Sequence, residues 1–184
     1  MYTIKDLEKI CSRCRKCRLH ETRNKVVFGE GNLKADILIV GEGPGYNEDK
    51  QGKPFVGRAG HLLDKMLKSI ELDRSKVYIS NIVKCRPPKN RNPQESEIEK
   101  CLPYLRWQVK IIKPKIIVSL GSVSSRVLID ENIKITKDRG KIVEKGEIKF
   151  IPTYHPAYLL RNQNAKKDAW EDLKLISKTF KELS

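Results

Sequence analysis

What most constrains the fold of this chain is a repeated pattern: apolar runs too short to be helices each end in residues that turn the chain, and segments of helical periodicity separate them. The first run, Ile37 to Val40 within ADILIVGEGPG, stops at a glycine-rich turn, as a buried parallel strand stops at a site. VYISNIV is the second, and Pro87, Pro88 and Pro93 break the chain after it, leaving KCRPPKNRNP as a basic loop. KIIVSLG is the third. The fourth is the second arm of a hairpin in GKIVEKGEIKFIPTYHP, which turns at Lys145 and Gly146. Between the first two, Leu62, Leu63, Met66, Leu67 and Ile70 recur at helical spacing. ESEIEKCLPYLRWQVKII reads as a helix that Pro103 should kink or restart, and SVSSRVLI as another. Residues 5–20 read as a short basic helix carrying the first cysteines, and Ala169, Leu173, Ile176 and Phe180 form one face of an amphipathic helix between Ala165 and Leu183. Strands alternating with helices predict a three-layer α/β/α sandwich around a central, mostly parallel four-stranded sheet.

With 184 residues the chain supports one domain over 1–184, with an N-terminal cysteine segment and a C-terminal amphipathic helix, and excludes two full enzyme domains. Hydrophobic residues make up 39%, enough for a core, so disorder is excluded. No apolar run approaches the roughly 18 residues of a membrane span, and the charged N-terminus MYTIKDLEKICSRC has no apolar stretch of a secretory signal. A cytoplasmic, nucleoid-associated protein is expected. Lys plus Arg number 38 against 23 Asp plus Glu, a net charge of +15 that calls for a polyanionic partner. Abundant Lys and Ile with scarce Gln lean towards a thermophile.

Five cysteines in such a chain read as metal ligands or reactive thiols rather than disulfides. Cys11, Cys14 and Cys17 form C-x2-C-x2-C, with Cys85 and Cys101 far downstream, and four such thiolates suit either tetrahedral zinc or an iron-sulfur cluster. The remaining chemistry gathers at strand ends, where open α/β sheets bind ligands. Gly41, Glu42, Gly43, Pro44 and Gly45 follow the first run, Asn81 closes the second and His155 follows the fourth. GEGPGY lacks the last glycine of a dinucleotide fingerprint, Pro44 removes an amide a phosphate would use, and no GK[ST] follows, so a nucleotide cofactor is excluded. A carboxylate, an amide and an imidazole at three strand ends of one sheet can converge on a small polar ring.

GEGPGYNEDKQGKPFVGRAGHLLDKML, SNIVKCRPPKNRNP, C-L-P and PTYHPAYLLRN, in this order from about Cys14 to Arg161, resemble the motifs of the thermostable iron-sulfur uracil-DNA glycosylases, the fourth family of the uracil-DNA glycosylase superfamily. The resemblance implies a monofunctional glycosylase that flips uracil out of DNA and hydrolyses its glycosidic bond. It implies that Asn81 pairs with O4 and N3–H and thereby excludes cytosine. Phe55 would stack on the base, Glu48 would occupy the space of a thymine methyl, and Gly43, alanine in many relatives, would keep the backbone close to the ligand. Glu42 would position or deprotonate water and face the sugar cation, and His155 would bond O2 and stabilise the departing base. Cys14, Cys17, Cys85 and Cys101 would hold a structural [4Fe-4S] cluster, with Cys11 outside the set. Lys84, Arg86, Lys89 and Arg91 beside Cys85 would meet phosphates, and Leu159, Leu160 or Arg161 would wedge into the minor groove, although YLL also suits a core helix.

The partner implied is uracil-containing DNA, approached by a monomer. A sliding-clamp contact would suit a repair enzyme, but no clamp-binding motif stands out. Two readings compete with this one: a non-catalytic nucleic-acid-binding protein with zinc on its thiolates, and an electron carrier, for which only the cysteines speak.

Overall fold

The computed structural model describes residues 3–183. Thr3 caps helix α1 (Ile4–Ser12), accepting from Asp6 N at 3.2 Å while its own amide donates to Asp6 Oδ2 at 2.9 Å. The helix expected over 5–20 ends there, and Cys14 and Cys17 lie in the turns before a 3-10 turn at Arg18–Glu21. A continuous helix would swing cysteines three and six residues apart progressively off one face, so the break lets them converge.

The chain continues through β1 (Glu30–Gly31), β2 (Ile37–Gly41), α2 (Tyr46–Gln51), α3 (Arg58–Lys68), β3 (Val77–Asn81), α4 (Glu95–Ile112), β4 (Ile116–Leu120), α5 (Gly121–Leu128), α6 (Ile135–Asp138), β5 (Val143–Lys145), β6 (Ile148–Thr153), α7 (Pro156–Arg161) and α8 (Lys166–Leu183). The strands form one six-stranded sheet in the order β1-β3-β2-β4-β6-β5. The expected parallel core is present as β3, β2, β4 and β6, while β1 and β5 pair antiparallel at the two edges. β5 is the first arm of the expected hairpin. β1 is only Glu30 and Gly31, too short and polar to register as an apolar run.

Alternation along β2 sends Ile37 and Ile39 to a core shared with α3, α7 and α8, and Leu38 and Val40 to one shared with α1 and α4. The three layers follow. α4 runs unbroken through Pro103. The proline is exposed, so the Glu99 carbonyl it frees meets water instead of an apolar wall. α8 buries Ala169, Leu173 and Ile176, with Phe180 packed at the margin of the same core.

The chain leaves β2 for β3 on one side and returns past β2 to reach β4 on the other, so the connections diverge between the carboxyl ends of β2 and β4. Such a switch point opens a crevice. Register aligns its rims, Gly41 beside Asn81 and Leu120 beside Thr153.

Candidate active site

A cleft of about 730 Å³ opens at this switch point, lined by Glu42, Gly43, Glu48, Phe55, Asn81 and His155 among others. Its size lies within the range usual for small-molecule sites. The structure therefore brings together every side chain expected to touch the base.

Asn81, the last residue of β3, is buried, and its Oδ1 is the one buried side-chain polar atom without a hydrogen-bond partner among the described residues. Gly41 makes room for it: a Cβ there would stand 2.5 Å from Asn81 Oδ1 and 2.7 Å from Phe55 Cζ. Gly43 has a different neighbour, since a Cβ on it would meet Val83 Cγ2 at 2.8 Å. Beyond the strands, Val83 N donates to Glu42 O at 3.1 Å and fixes the backbone of the acid. Burial holds the Glu42 carboxyl above its ordinary range.

Phe55 is buried in a left-handed conformation, φ 51°, that a residue with a side chain adopts at a cost. Two clamps hold it. Arg74 donates through Nη1 to Pro54 O at 2.9 Å and through Nη2 to Phe55 O, with its Nε on Asp64 Oδ1 at 2.7 Å. Glu48 Oε1 accepts from both Val56 N and Gly57 N at 2.9 Å. Gly60 completes the fit, because a Cβ there would collide with the Phe55 carbonyl. Glu48 itself rides on α2, which buried Asp49 anchors by accepting from Asn24 N at 2.8 Å.

His155 caps α7, its Nδ1 accepting from Ala157 N at 3.0 Å. That bond places the ring proton on Nε2. Burial, reinforced by Arg161 and opposed by Glu48, lowers its pKa to about 4, so the ring is neutral at physiological pH. Gly121, at φ 86° at the start of α5, lets the backbone pass; a Cβ there would lie 3.1 Å from His155 Cβ. The rings of Phe55 and His155 adjoin at 5.6 Å.

Two residues expected at a DNA surface are buried instead. Lys84 is inaccessible, because its ammonium turns inward onto Ser80 Oγ, Asn81 O and Gln108 Oε1. Leu159 packs in the core beneath α7, which leaves half-buried Leu160 and exposed Arg161 as the wedge candidates. Arg91 lines the cleft, but both of its Nη atoms are held by Glu97, at 2.9 and 2.7 Å. Arg86 donates to Asn90 Oδ1 at 2.7 Å and lies 5.2 Å from the exposed ring of Tyr46, and Lys89 is exposed. Arg74 is a site residue that the sequence does not reveal, and Gly41, read there only as part of the strand-end turn, is the residue that makes room for Asn81 and Phe55. Nothing local marks the arginine, whereas Gly41 stands at a strand end where close approach is common.

On the α1 side of the sheet, Cys14, Cys17, Cys85 and Cys101 line one small cavity, with Cys11, Arg23 and Tyr104. All five thiols are free. Arg23 Nη1 donates to Cys85 Sγ at 3.3 Å and to Cys14 O at 2.7 Å, and Lys84 N donates to Cys101 Sγ at 3.2 Å. An all-sulfur donor set with N–H groups aimed at the sulfurs fits an iron-sulfur cluster. No three His, Cys, Asp or Glu side chains among the described residues form a recognisable single-ion site.

Fold and cleft first define a class: a doubly wound α/β/α protein whose switch-point cleft offers an amide, an aromatic face, a neutral imidazole and a carboxylate to a small planar ligand. The chain belongs to the uracil DNA glycosylase superfamily, whose model matches residues 28–174. It is 49% identical to the type-4 uracil-DNA glycosylase of Sulfurisphaera tokodaii, over 96% of this chain and 84% of the relative. To that of Thermotoga maritima it is 48% identical, over 89% and 88% respectively. A type-5 uracil-DNA glycosylase of Pyrobaculum aerophilum is 29% identical over 70% of this chain and 64% of its own.

Proposed function

We propose that this chain hydrolyses the N-glycosidic bond of uracil in DNA, leaving an abasic site. The observation that carries the reading is Asn81, a buried amide whose Oδ1 has no partner, facing a cleft that also holds Phe55, His155 and Glu42. Family membership and the names of the relatives point the same way.

Asn81 Oδ1 accepts from uracil N3–H and its Nδ2 donates to O4, a pattern cytosine reverses at both atoms. Phe55 stacks on the extruded base and Glu48 fills the space beside C5. As the bond from C1′ to N1 lengthens, electrons pass to the base and charge gathers on O2, where neutral His155 donates its Nε2 proton in a hydrogen bond. The sugar becomes cationic. Glu42 faces it and accepts a proton from the water that adds to C1′, and the raised affinity of its carboxyl for protons suits that role. Uracil leaves as the N1 anion and is protonated by solvent. The step requires no covalent enzyme intermediate, in keeping with the monofunctional activity the resemblance implies.

Cys14, Cys17, Cys85 and Cys101 would hold a [4Fe-4S] cluster. Hydrolysis transfers no electrons, so the cluster's contribution when bound is a cross-link joining the α1 segment, the basic loop and α4. That loop presents Arg86 and Lys89 to phosphate, while Arg91 folds it against Glu97. The test is direct: incubate with an oligonucleotide carrying one uracil, treat with alkali and look for a strand break at that position. An intact strand overturns the reading.

A further inference from the structure

A lysine without water must find partners for all its protons, and Lys84 is fully buried. Its Nζ donates to Ser80 Oγ at 2.5 Å, to Asn81 O at 2.8 Å and to Gln108 Oε1 at 2.8 Å. Three acceptors match the three protons of an ammonium. Two of them are themselves fixed: Ser80 lies within β3, and Gln108 Nε2 is bonded to Phe28 O at 2.8 Å. The backbone of Lys84 is anchored as well, its N–H on Cys101 Sγ at 3.2 Å and its carbonyl accepting from Val27 N at 2.7 Å. The side chain thus turns back from the cysteine lobe and grips the peptide of Asn81. That residue needs the grip. Its side chain is packed at Gly41 with no internal hydrogen bond on Oδ1, so where the amide points depends on packing and on how firmly its backbone, at the end of β3, is held.

We propose that Lys84 is a positioning residue for Asn81: its buried side chain holds the Asn81 peptide against the cysteine lobe so that the amide meets the base in register. This rests on Asn81 being the base-reading residue. A reading group displaced by about 1 Å loses on the order of a hundredfold in rate, so removing the ammonium should slow chemistry without touching contacts to the DNA backbone.

The experiment is a double-mutant cycle on the cluster-loaded protein, measuring single-turnover uracil excision for wild type, Lys84→Met, Asn81→Ala and the double variant. Visible absorption and thermal midpoint are recorded for each. Methionine keeps the length of the stem and removes the donors. Lys84→Met should slow excision about tenfold to a hundredfold while keeping affinity for duplex with an abasic analogue within a few fold. In the Asn81→Ala background the same change should have no further effect, because the residue acts through Asn81. An unchanged rate, or an equal loss in both backgrounds, overturns the inference. Should Lys84→Met lose its colour or its thermal transition, Ser80→Ala takes its place in the cycle, since it deletes one of the three acceptors together with the hydroxyl's own bond to Gln108 Oε1. Its smaller loss must also vanish with Asn81→Ala, and an additive loss overturns the proposal equally. A wild type that releases no uracil refutes the function itself, and an Asn81→Ala variant at wild-type rate refutes the site assignment.

Discussion

His155 commits one ring nitrogen to the backbone of the helix it caps, and that choice settles what the other can do. With Nδ1 accepting from Ala157 N, the imidazole is a neutral donor through Nε2, and burial keeps it so down to about pH 4. The same fact bears on stability. Between about 6.5, its unfolded value, and about 4, the unfolded chain binds a proton that the folded chain refuses. Stability from this residue is therefore fully present above that window and falls as pH drops through it, at up to about 1.4 kcal/mol per pH unit. His155→Gln should flatten the fall, which urea titrations at pH 7 and pH 4.5 would measure; equal losses in both proteins would contradict it. Glu48 clamps Val56 and Gly57, and in the proposed reading it also fills the space beside C5. Glu48→Ala should consequently admit some thymine from a mismatch and also slow uracil excision, about tenfold, because the Phe55 segment loosens. A variant inert towards thymine would show that the methyl is excluded elsewhere.

At the scale of elements, the segment from Pro54 to Gly57 is the least self-sufficient part of the site, since Phe55 holds an unfavourable φ only because Arg74 and Glu48 grip it from both sides. Arg74→Met should leave two carbonyls without their donor, lower the thermal midpoint, and slow the chemical step with little change in affinity for abasic DNA. If excision is unaffected while stability drops, the clamp is structural only. The four parallel strands and the long helices are legible in the sequence because each has an apolar run or a 3.6 period, whereas the two-residue β1 has neither; Glu42, Asn81 and His155 are legible because they stand at strand ends. α2 was not, since YNEDKQ has no apolar face and is held by Asp49 rather than by a core stripe. The inward turn of Lys84 was equally hidden: KCRPPKNR reads as a basic surface, and only tertiary packing shows that one of its cations satisfies Ser80, Asn81 and Gln108.

At the scale of the whole molecule, a net charge of +15 should make DNA affinity fall steeply with salt. Arg86→Ala should lower the slope of that dependence by about one; an unchanged slope would place the loop away from phosphate. The cysteine lobe predicts brown protein with about four irons per chain, Cys11→Ala keeping the colour and Cys85→Ala losing it. Colourless protein with one zinc would contradict the cluster. Fold, cleft and lobe meet in one claim, that the cleft reads uracil through Asn81 and hydrolyses its bond to the sugar. The measurement that tests it most directly is single-turnover base release by wild type and Asn81→Asp from duplexes alike except for one uracil, cytosine or thymine. Wild type should release uracil alone, and Asn81→Asp should lose uracil excision by orders of magnitude while staying folded and brown. Uracil release undiminished in the folded Asn81→Asp variant would contradict it.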